Sequence, residues 1–268
     1  AGKLGAEPEI LINMYKILIE DETKIDVEVK PNFGKTSFLY EALKGGSIDI
    51  YPEFTGTVTT TLLKKPETVP SNDPDEVYEV ARKKIFEQDK LVYLKPTKFQ
   101  DTYALAVTED YAKANKINNI SDIKLVENSA KVGFSLEFND REDGGIGLKN
   151  LYHLNLSVKT MEIALKYQAI SNGDVNIIDV FSTDSKIITN KLKLLNDDRH
   201  LFPPYQGAPI LREETLKKHP ELENILNKLA GKITEKEMTE MNYKVDVEGK
   251  SSYDVAKEYL QKEGLIKK

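Results

Sequence analysis

Strand-like and helix-like segments alternate along most of this chain, and this alternation constrains the fold more than any single motif does. Apolar residues at helical spacing follow Pro8 from Ile10 to about Glu20. Period-two patterns predict strands at residues 25–29 and 47–51, and a short helix at 38–43 ends at Gly45-Gly46. A polar segment and a capped helix at 73–88 come next. The pattern is typical of an α/β protein.

The alternation restarts near residue 102 and then gives way to helices alone. Strands are predicted at 102–107, 131–134 and 175–181, with helices at 109–114, 144–152 and 161–171 between them. The tail reads as four helices, at 213–218, 220–230, 234–243 and 253–263. Because four helices cannot form a sheet of their own, we expect the tail to pack on the first block. The predicted organisation is a discontinuous lobe of residues 1–100 and 206–268 with residues 101–205 inserted as a second lobe, joined so that a hinge closes a cleft.

Composition excludes several classes of function. The net charge of -6 comes from 38 basic and 44 acidic side chains mixed along the chain, which argues against a nucleic-acid or anionic-membrane surface. The absence of cysteine excludes disulfides, thiolate metal sites and cysteine nucleophiles. His153, His200 and His219 are too scattered for a metal-ligand pattern, so we expect neither a metal nor a cofactor.

The segment from Asp49 to Thr57 concentrates rings and hydroxyls around one turn. It reads Asp-Ile-Tyr-Pro-Glu-Phe-Thr-Gly-Thr, in which we expect Pro52 to end a strand and Gly56 to allow close backbone approach before a helix-like stretch at 57–63. Rings presented there could hold a quaternary ammonium ion, which has no N–H to donate and is attracted to aromatic faces. A core role for Tyr51 and Phe54 is the alternative.

Five motifs, at residues 43–57, 99–107, 134–143, 179–184 and 202–209, resemble the substrate-binding proteins of ABC transporters for glycine betaine, carnitine and choline. The resemblance covers nearly the whole chain. It implies the two-lobed periplasmic-binding-protein fold of type II, a permease and an ATPase as partners, and an extracytoplasmic place at the membrane, as a lipoprotein or fused to the permease. No signal peptide precedes Ala1 in this sequence.

In that family the ligand's trimethylammonium group sits in a cage of rings from both lobes. Carried over motif by motif, the resemblance implies the cage residues Phe54, Tyr103, Phe181 and Tyr205, with the main-chain oxygen of Asp101 facing the cation. Two of these rings are phenylalanine where the family usually has tyrosine. Losing the hydroxyl keeps the π face and changes the polar contacts.

The resemblance also implies donors for a ligand carboxylate, namely Arg141, Lys3 and the Thr57 hydroxyl. The planar guanidinium of arginine can pair with both carboxylate oxygens. Arg141 also has acidic neighbours, so a local surface ion pair is the alternative role for it, and a solvated terminal lysine is the alternative for Lys3.

Departures from the family pattern point to a larger or less polar ligand. The turn at 3–8 lacks a side-chain amide that many relatives carry, and the two phenylalanines would suit a flat ring. Ergothioneine, which related permease-fused domains bind, is therefore a candidate equal to the simple betaines. The family's first strand should precede Lys3, where this sequence holds only Ala1 and Gly2.

Two other classes of function remain open. A sensor domain would use the same cleft to signal rather than to transport. An enzyme on the same scaffold would need a nucleophile or an activated acid, and Ser182, Ser185 and the threonines at 57–61 have no nearby base in the sequence. We expect a receptor that is not an enzyme.

Overall fold

The computed structural model of the protein describes residues 1–65 and 73–267. Its strands are β1 (Ile50–Phe54), β2 (Leu91–Tyr93), β3 (Tyr103–Thr108), β4 (Val132–Ser135), β5 (Val158–Met161), β6 (Ile177–Phe181), β7 (Leu192–Leu194) and β8 (Gly207–Arg212). Its helices are α1 (Ala6–Glu22), α2 (Thr36–Lys44), α3 (Thr55–Thr57), α4 (Pro74–Asp89), α5 (Glu109–Asn115), α6 (Leu136–Asn139), α7 (Gly145–Leu151), α8 (Ile163–Ser171), α9 (Lys186–Thr189), α10 (Glu213–Lys218), α11 (Glu221–Leu226), α12 (Glu235–Asp246) and α13 (Ser252–Lys262). The polar segment predicted before α4 falls mostly on residues 66–72, which lie outside the described residues.

The chain divides into two compact units. Unit 1 comprises Ala1–Asp101 and Pro204–Lys268, and unit 2 comprises Thr102–Pro203. The chain therefore passes between the units twice, after Asp101 and after Pro203. That these units are lobes hinged about a cleft stays a prediction.

Unit 1 has a three-stranded sheet in which β8 lies between β1 and β2 and is antiparallel to both. The sequence missed β2 and β8. It was also wrong about Pro52, which lies in the middle of β1 opposite Pro209 instead of ending the strand. Because β1 is the edge strand, the missing N–H of Pro52 costs little there.

The core of unit 1 joins α1 to the C-terminal helices. Ile10, Leu11, Met14 and Leu18 on α1 are almost fully buried, and they share one apolar cluster with residues of α11, α12 and α13, including Leu226, Met238, Val255 and Leu260. The predicted first helix and the four tail helices are confirmed, and the tail packs on the first block.

The strand predicted at residues 25–29 is wrong. The Val27 N–H donates to Glu20 at 2.9 Å, and the Val27 carbonyl accepts from Lys16 Nζ at 2.8 Å. Side chains of α1 thus satisfy main-chain groups that a neighbouring strand would otherwise pair. A cavity of about 480 Å³ lies beside this segment, and none of the predicted ligand-binding residues lines it.

Unit 2 has a five-stranded mixed sheet in the order β5-β4-β6-β3-β7. β4 is parallel to β5 and β6, whereas β3 is antiparallel to β6 and β7. Ser135 pairs with Met161, and Tyr103 pairs with Phe181. The carboxyl ends of β4, β5 and β6 and the start of β3 therefore meet at one edge of the sheet.

In the parts of the chain that the structure covers, no helix has the length and apolar character needed to cross a lipid bilayer.

Candidate ligand-binding half-sites

The first half-site lies in unit 1 at the turn from β1 into α3. Phe54 is the last residue of β1, and only 7% of its surface is exposed. Its ring packs edge-on against Phe99 with the ring centroids 6.5 Å apart. Thr57 ends α3 and is half-buried. A π-helical turn, Val58–Leu62, continues from it.

Tyr205 reaches the same turn through close contact with Gly56. A Cβ atom at Gly56 would lie 2.7 Å from two carbons of the Tyr205 ring, so only glycine leaves room for it. The Tyr205 N–H donates to Gln100 Oε1 at 2.7 Å, and the Tyr205 carbonyl accepts from the Asp101 N–H at 3.0 Å. Unit 1 thus brings Phe54, Thr57, Asp101 and Tyr205 to one region. The contact of the Asp101 carbonyl with a cation stays a prediction.

Lys3 belongs to this half-site, and it already has a carboxylate partner. Its ammonium group is ion-paired with Glu53 and lies 5.3 Å from the centroid of the Phe54 ring. The Glu53 side chain is fully buried and also accepts from the Tyr51 hydroxyl at 3.2 Å and the Phe54 N–H at 2.8 Å. The alternative of a solvated Lys3 is wrong, because only 16% of its side chain is exposed.

Sequence analysis assigned no role to Glu53. The one feature that could have identified Glu53 is the presence of an acidic side chain in a segment whose other residues are typical of a buried strand. Tyr51 has the core role considered as the alternative for it, since none of its surface is exposed. Burial raises its pKa well above the ordinary value for tyrosine.

The second half-site lies in unit 2 and centres on two stacked rings. Tyr103 begins β3 directly opposite Phe181, which ends β6. Their ring centroids are 4.9 Å apart with an angle of 26° between the planes, an arrangement that aromatic pairs favour. Phe181 is 44% exposed, which is unusual for a phenylalanine on a central strand. The Phe181 ring is therefore accessible at the surface.

Tyr103 has further neighbours that the sequence did not reveal. The Phe138 ring lies 5.2 Å away between centroids, and the Tyr103 hydroxyl donates to Glu137 Oε1 at 3.2 Å. Burial, followed by the Glu137 carboxylate, raises the pKa of the Tyr103 hydroxyl above its ordinary value. The phenol therefore stays neutral, and its ring keeps the quadrupole of a neutral tyrosine.

Arg141 lies over the Tyr103 ring, with its guanidinium carbon 5.3 Å from the centroid. Nε and one terminal nitrogen donate to the two Asp143 oxygens at 2.6 and 2.9 Å, and the other terminal nitrogen lies 3.4 Å from Glu137. The local ion pair considered as the alternative is therefore present. A ligand carboxylate would have to share or replace these partners.

A buried ion pair in unit 2 connects the elements that carry the second half-site. Lys166 on α8 is 2.8 Å from Asp179 on β6, and their side chains are 4% and 2% exposed. Asp179 also accepts from the Ser135 N–H at 2.7 Å and the Ser135 hydroxyl at 2.8 Å. Ser135 precedes α6, which carries Glu137 and Phe138. The pair thus links the strand that ends in Phe181 to the segment around Tyr103.

The described residues, 1–65 and 73–267, contain no group of three or more histidine, aspartate or glutamate side chains arranged to hold a metal ion.

Comparison with known proteins matches residues 1–262 to a family described as the substrate-binding domain of an ABC-type glycine betaine transport system, OpuAC. The chain belongs to the OpuAC family. The carnitine transport binding protein OpuCC of Listeria monocytogenes is 36% identical over 259 residues, which cover 96% of this chain and 83% of that protein. The ergothioneine transport permease/ergothioneine binding protein EgtU of Helicobacter pylori is 34% identical over 99% of this chain, and the match spans 47% of that longer protein.

Solved structures agree with this membership of the OpuAC family. A crystal structure described as a glycine betaine/carnitine/choline ABC transporter has a TM-score of 0.91 and 31% identity, and the match covers 98% of this chain and 97% of that one. The predicted α/β periplasmic-binding-protein fold and the resemblance drawn from the five motifs are confirmed. OpuAC-family chains are substrate-binding domains of transporters.

Proposed function

We propose that this chain is the solute-binding component of an ABC importer and that it captures a trimethylammonium-type solute by cation-π contact, with carboxylate pairing where the solute carries a carboxylate. Glycine betaine, carnitine, choline and ergothioneine are the candidate ligands. The two relatives described above are named for carnitine and ergothioneine, and the similar solved structure for glycine betaine, carnitine and choline. The chain acts as a receptor and not as an enzyme. It works outside the cytoplasm and delivers its ligand to a permease driven by an ATPase.

The observation that carries the proposal is the stacked pair of Tyr103 and Phe181. Nearly half of the Phe181 surface is exposed at a sheet edge that also presents a basic side chain, Arg141, within reach of the same rings. A ring face beside a cationic donor is complementary to a ligand that carries both a quaternary ammonium group and a carboxylate.

Unit 1 supplies the other part of the proposed cage. Tyr205 and Phe54 flank the Gly56 turn, and Thr57 offers a hydroxyl there. We propose that one ligand takes rings from both units, so that binding shifts the protein from an open to a closed state.

A thermal-shift screen tests the function directly. The chain is mixed with glycine betaine, carnitine, choline, proline betaine and ergothioneine, and hits are measured by calorimetry. A ligand at 100 times its Kd stabilises the folded state by about 2.7 kcal/mol, which moves the melting temperature by several degrees in a protein of this size. Histidine, which lacks the quaternary nitrogen, is the control. Binding to none of the five compounds would overturn the proposal.

A sensing role for the same cleft makes the same ligand prediction. The two roles differ in what the liganded protein does. A transporter component stimulates its ATPase when reconstituted with the permease, and a sensor domain leaves ATP hydrolysis unchanged.

A further inference from the structure

In each unit, a ring proposed to receive the ligand's cation already has a side-chain cation above it. Lys3 Nζ lies 5.3 Å from the Phe54 centroid in unit 1. In unit 2, the guanidinium carbon of Arg141 lies 5.3 Å from the Tyr103 centroid. Both distances fall within the range of about 6 Å over which a ring attracts a cation.

Each of these basic groups is also held by carboxylates. Lys3 pairs with the fully buried Glu53, and Arg141 pairs with Asp143 and Glu137. The two pairs differ in how easily they can rearrange. Releasing Lys3 would leave a buried carboxylate without its cation, which is strongly unfavourable. Arg141, whose side chain is 36% exposed, has partners that water can solvate.

A ligand cation that approaches either ring therefore competes with a like charge that already lies 5.3 Å from the ring centroid. Near a protein surface this repulsion weakens binding by on the order of tenfold or more. A carboxylate on the same ligand reverses the effect, because it gives the displaced base a new partner. The ammonium of Lys3 has three donors and can add such a partner while it keeps Glu53, whereas Arg141 can exchange Asp143 for it.

We propose that Arg141 and Lys3 occupy the cation positions on Tyr103 and Phe54 when no ligand is bound and thereby select zwitterions against simple cations. Arg141 is the exchangeable member, and Lys3 is the fixed one. This selection rests on the proposed function and adds to it that solutes carrying only the positive charge, choline included, bind more weakly than the zwitterions.

The test compares each zwitterion with its own methyl ester, which keeps the quaternary nitrogen and loses the negative charge. Glycine betaine, carnitine and ergothioneine are each paired with their ester, and choline serves as a second plain cation. Calorimetry on the wild-type chain should give an affinity at least tenfold higher for the zwitterion.

Arg141→Met should weaken the zwitterion and strengthen the ester or choline, so that the ratio of the two affinities falls by about tenfold. Strengthening is the informative result, because a merely structural role of Arg141 would weaken both. Arg199→Met is the matched control. The guanidinium carbon of Arg199 lies 5.4 Å from the centroid of the Tyr152 ring, and Tyr152 belongs to neither half-site. This control variant should leave both affinities unchanged.

For Lys3, the double variant Lys3→Met with Glu53→Gln removes the ion pair without leaving a buried charge. We expect the same change in the zwitterion-to-ester ratio, and Lys44→Met, which removes a lysine over Tyr40 at 4.6 Å, is its control. Weaker or unchanged ester and choline binding in both site variants would overturn the inference while leaving the proposed function intact. Absence of zwitterion binding by the wild-type chain would overturn both.

Discussion

At the scale of single residues, each candidate ring of the two half-sites is positioned by neighbouring side chains. Tyr103 is stacked on Phe181, hydrogen-bonded to Glu137 and faced by Arg141. Phe54 lies below Lys3, which in turn is held by Glu53. Tyr103 and Phe54 thus each have a defined orientation and a charged neighbour, and this preorganisation would lower the entropy cost of binding at the proposed cage.

Replacing Tyr103 separates the contribution of its ring from that of its hydroxyl. Tyr103→Ala removes a cation-π contact of about 2 kcal/mol and should weaken the quaternary ammonium ligand about 30-fold or more. Tyr103→Phe keeps the ring and should change affinity only a few-fold. Calorimetry measures both variants, and circular dichroism checks the fold.

Tyr253→Ala is the control for Tyr103, because Tyr253 is 40% exposed on a helix in unit 1. If Tyr103→Ala retained wild-type affinity, Tyr103 would not belong to the cage.

From the sequence, the residues of the two half-sites could be predicted only through the family resemblance; local patterns alone did not identify them. The motifs pointed to Phe54, Tyr103, Phe181 and Tyr205, but their roles as ligand contacts stay predictions. The sequence did not reveal the roles of Glu53, Glu137 and Asp179, because the role of a carboxylate depends on partners that are distant in the sequence. Asp179 lies 13 residues from Lys166 and 44 from Ser135, so no local pattern shows that it is paired.

At the scale of elements, α8 shows how a tertiary contact overrides a sequence pattern. This helix buries Lys166 and exposes Ile163 and Leu165, each 54% accessible. An orientation set by apolar periodicity would instead have buried Ile163 and Leu165 and exposed Lys166. The ion pair with Asp179 makes the observed orientation possible, because it gives the buried ammonium group a charged partner.

Lys166→Met tests this arrangement. The substitution leaves Asp179 buried without its cation and should reduce the free energy of unfolding by about 3–5 kcal/mol, measured by denaturant titration. The double variant Lys166→Met with Asp179→Asn removes both charges and should recover most of the loss. Lys159→Met on the exposed edge strand β5 is the control and should stay within about 0.5 kcal/mol of wild type. Equal stability of Lys166→Met and Lys159→Met would contradict the buried pair.

The elements that the sequence predicted well are the amphipathic or capped helices. α12 shows why. The Thr234 side chain accepts from the Glu237 N–H, and the Glu237 side chain accepts from the Thr234 N–H. Such a capping box can be recognised from four consecutive residues. β5 and β7 were missed because they are short edge strands of four and three residues. Residues 25–29 alternate like a strand, but a strand also needs a neighbour to pair with, and periodicity says nothing about that.

At the scale of the whole molecule, the discontinuous chain path makes closure a testable consequence of ligand capture. If rings from both units hold one ligand, saturating ligand should lower the radius of gyration measured by X-ray scattering. Tyr103→Ala should abolish this change at the same ligand concentration. A ligand that binds by calorimetry and leaves the scattering curve unchanged would show that a single unit holds it.

The two places where the chain passes between units have a consequence for how such a receptor can evolve. Tyr103 comes two residues after Asp101 and Tyr205 one residue after Pro204, and the Asp101 N–H is bonded to the Tyr205 carbonyl. The torsion angles that would let one unit turn against the other are thus covalently next to two of the rings. If the units turn about these connections and the rings hold the ligand, as proposed, a substitution that stiffens or loosens the connections also reorients a ring. Tightness of capture and speed of release would then not be selected independently.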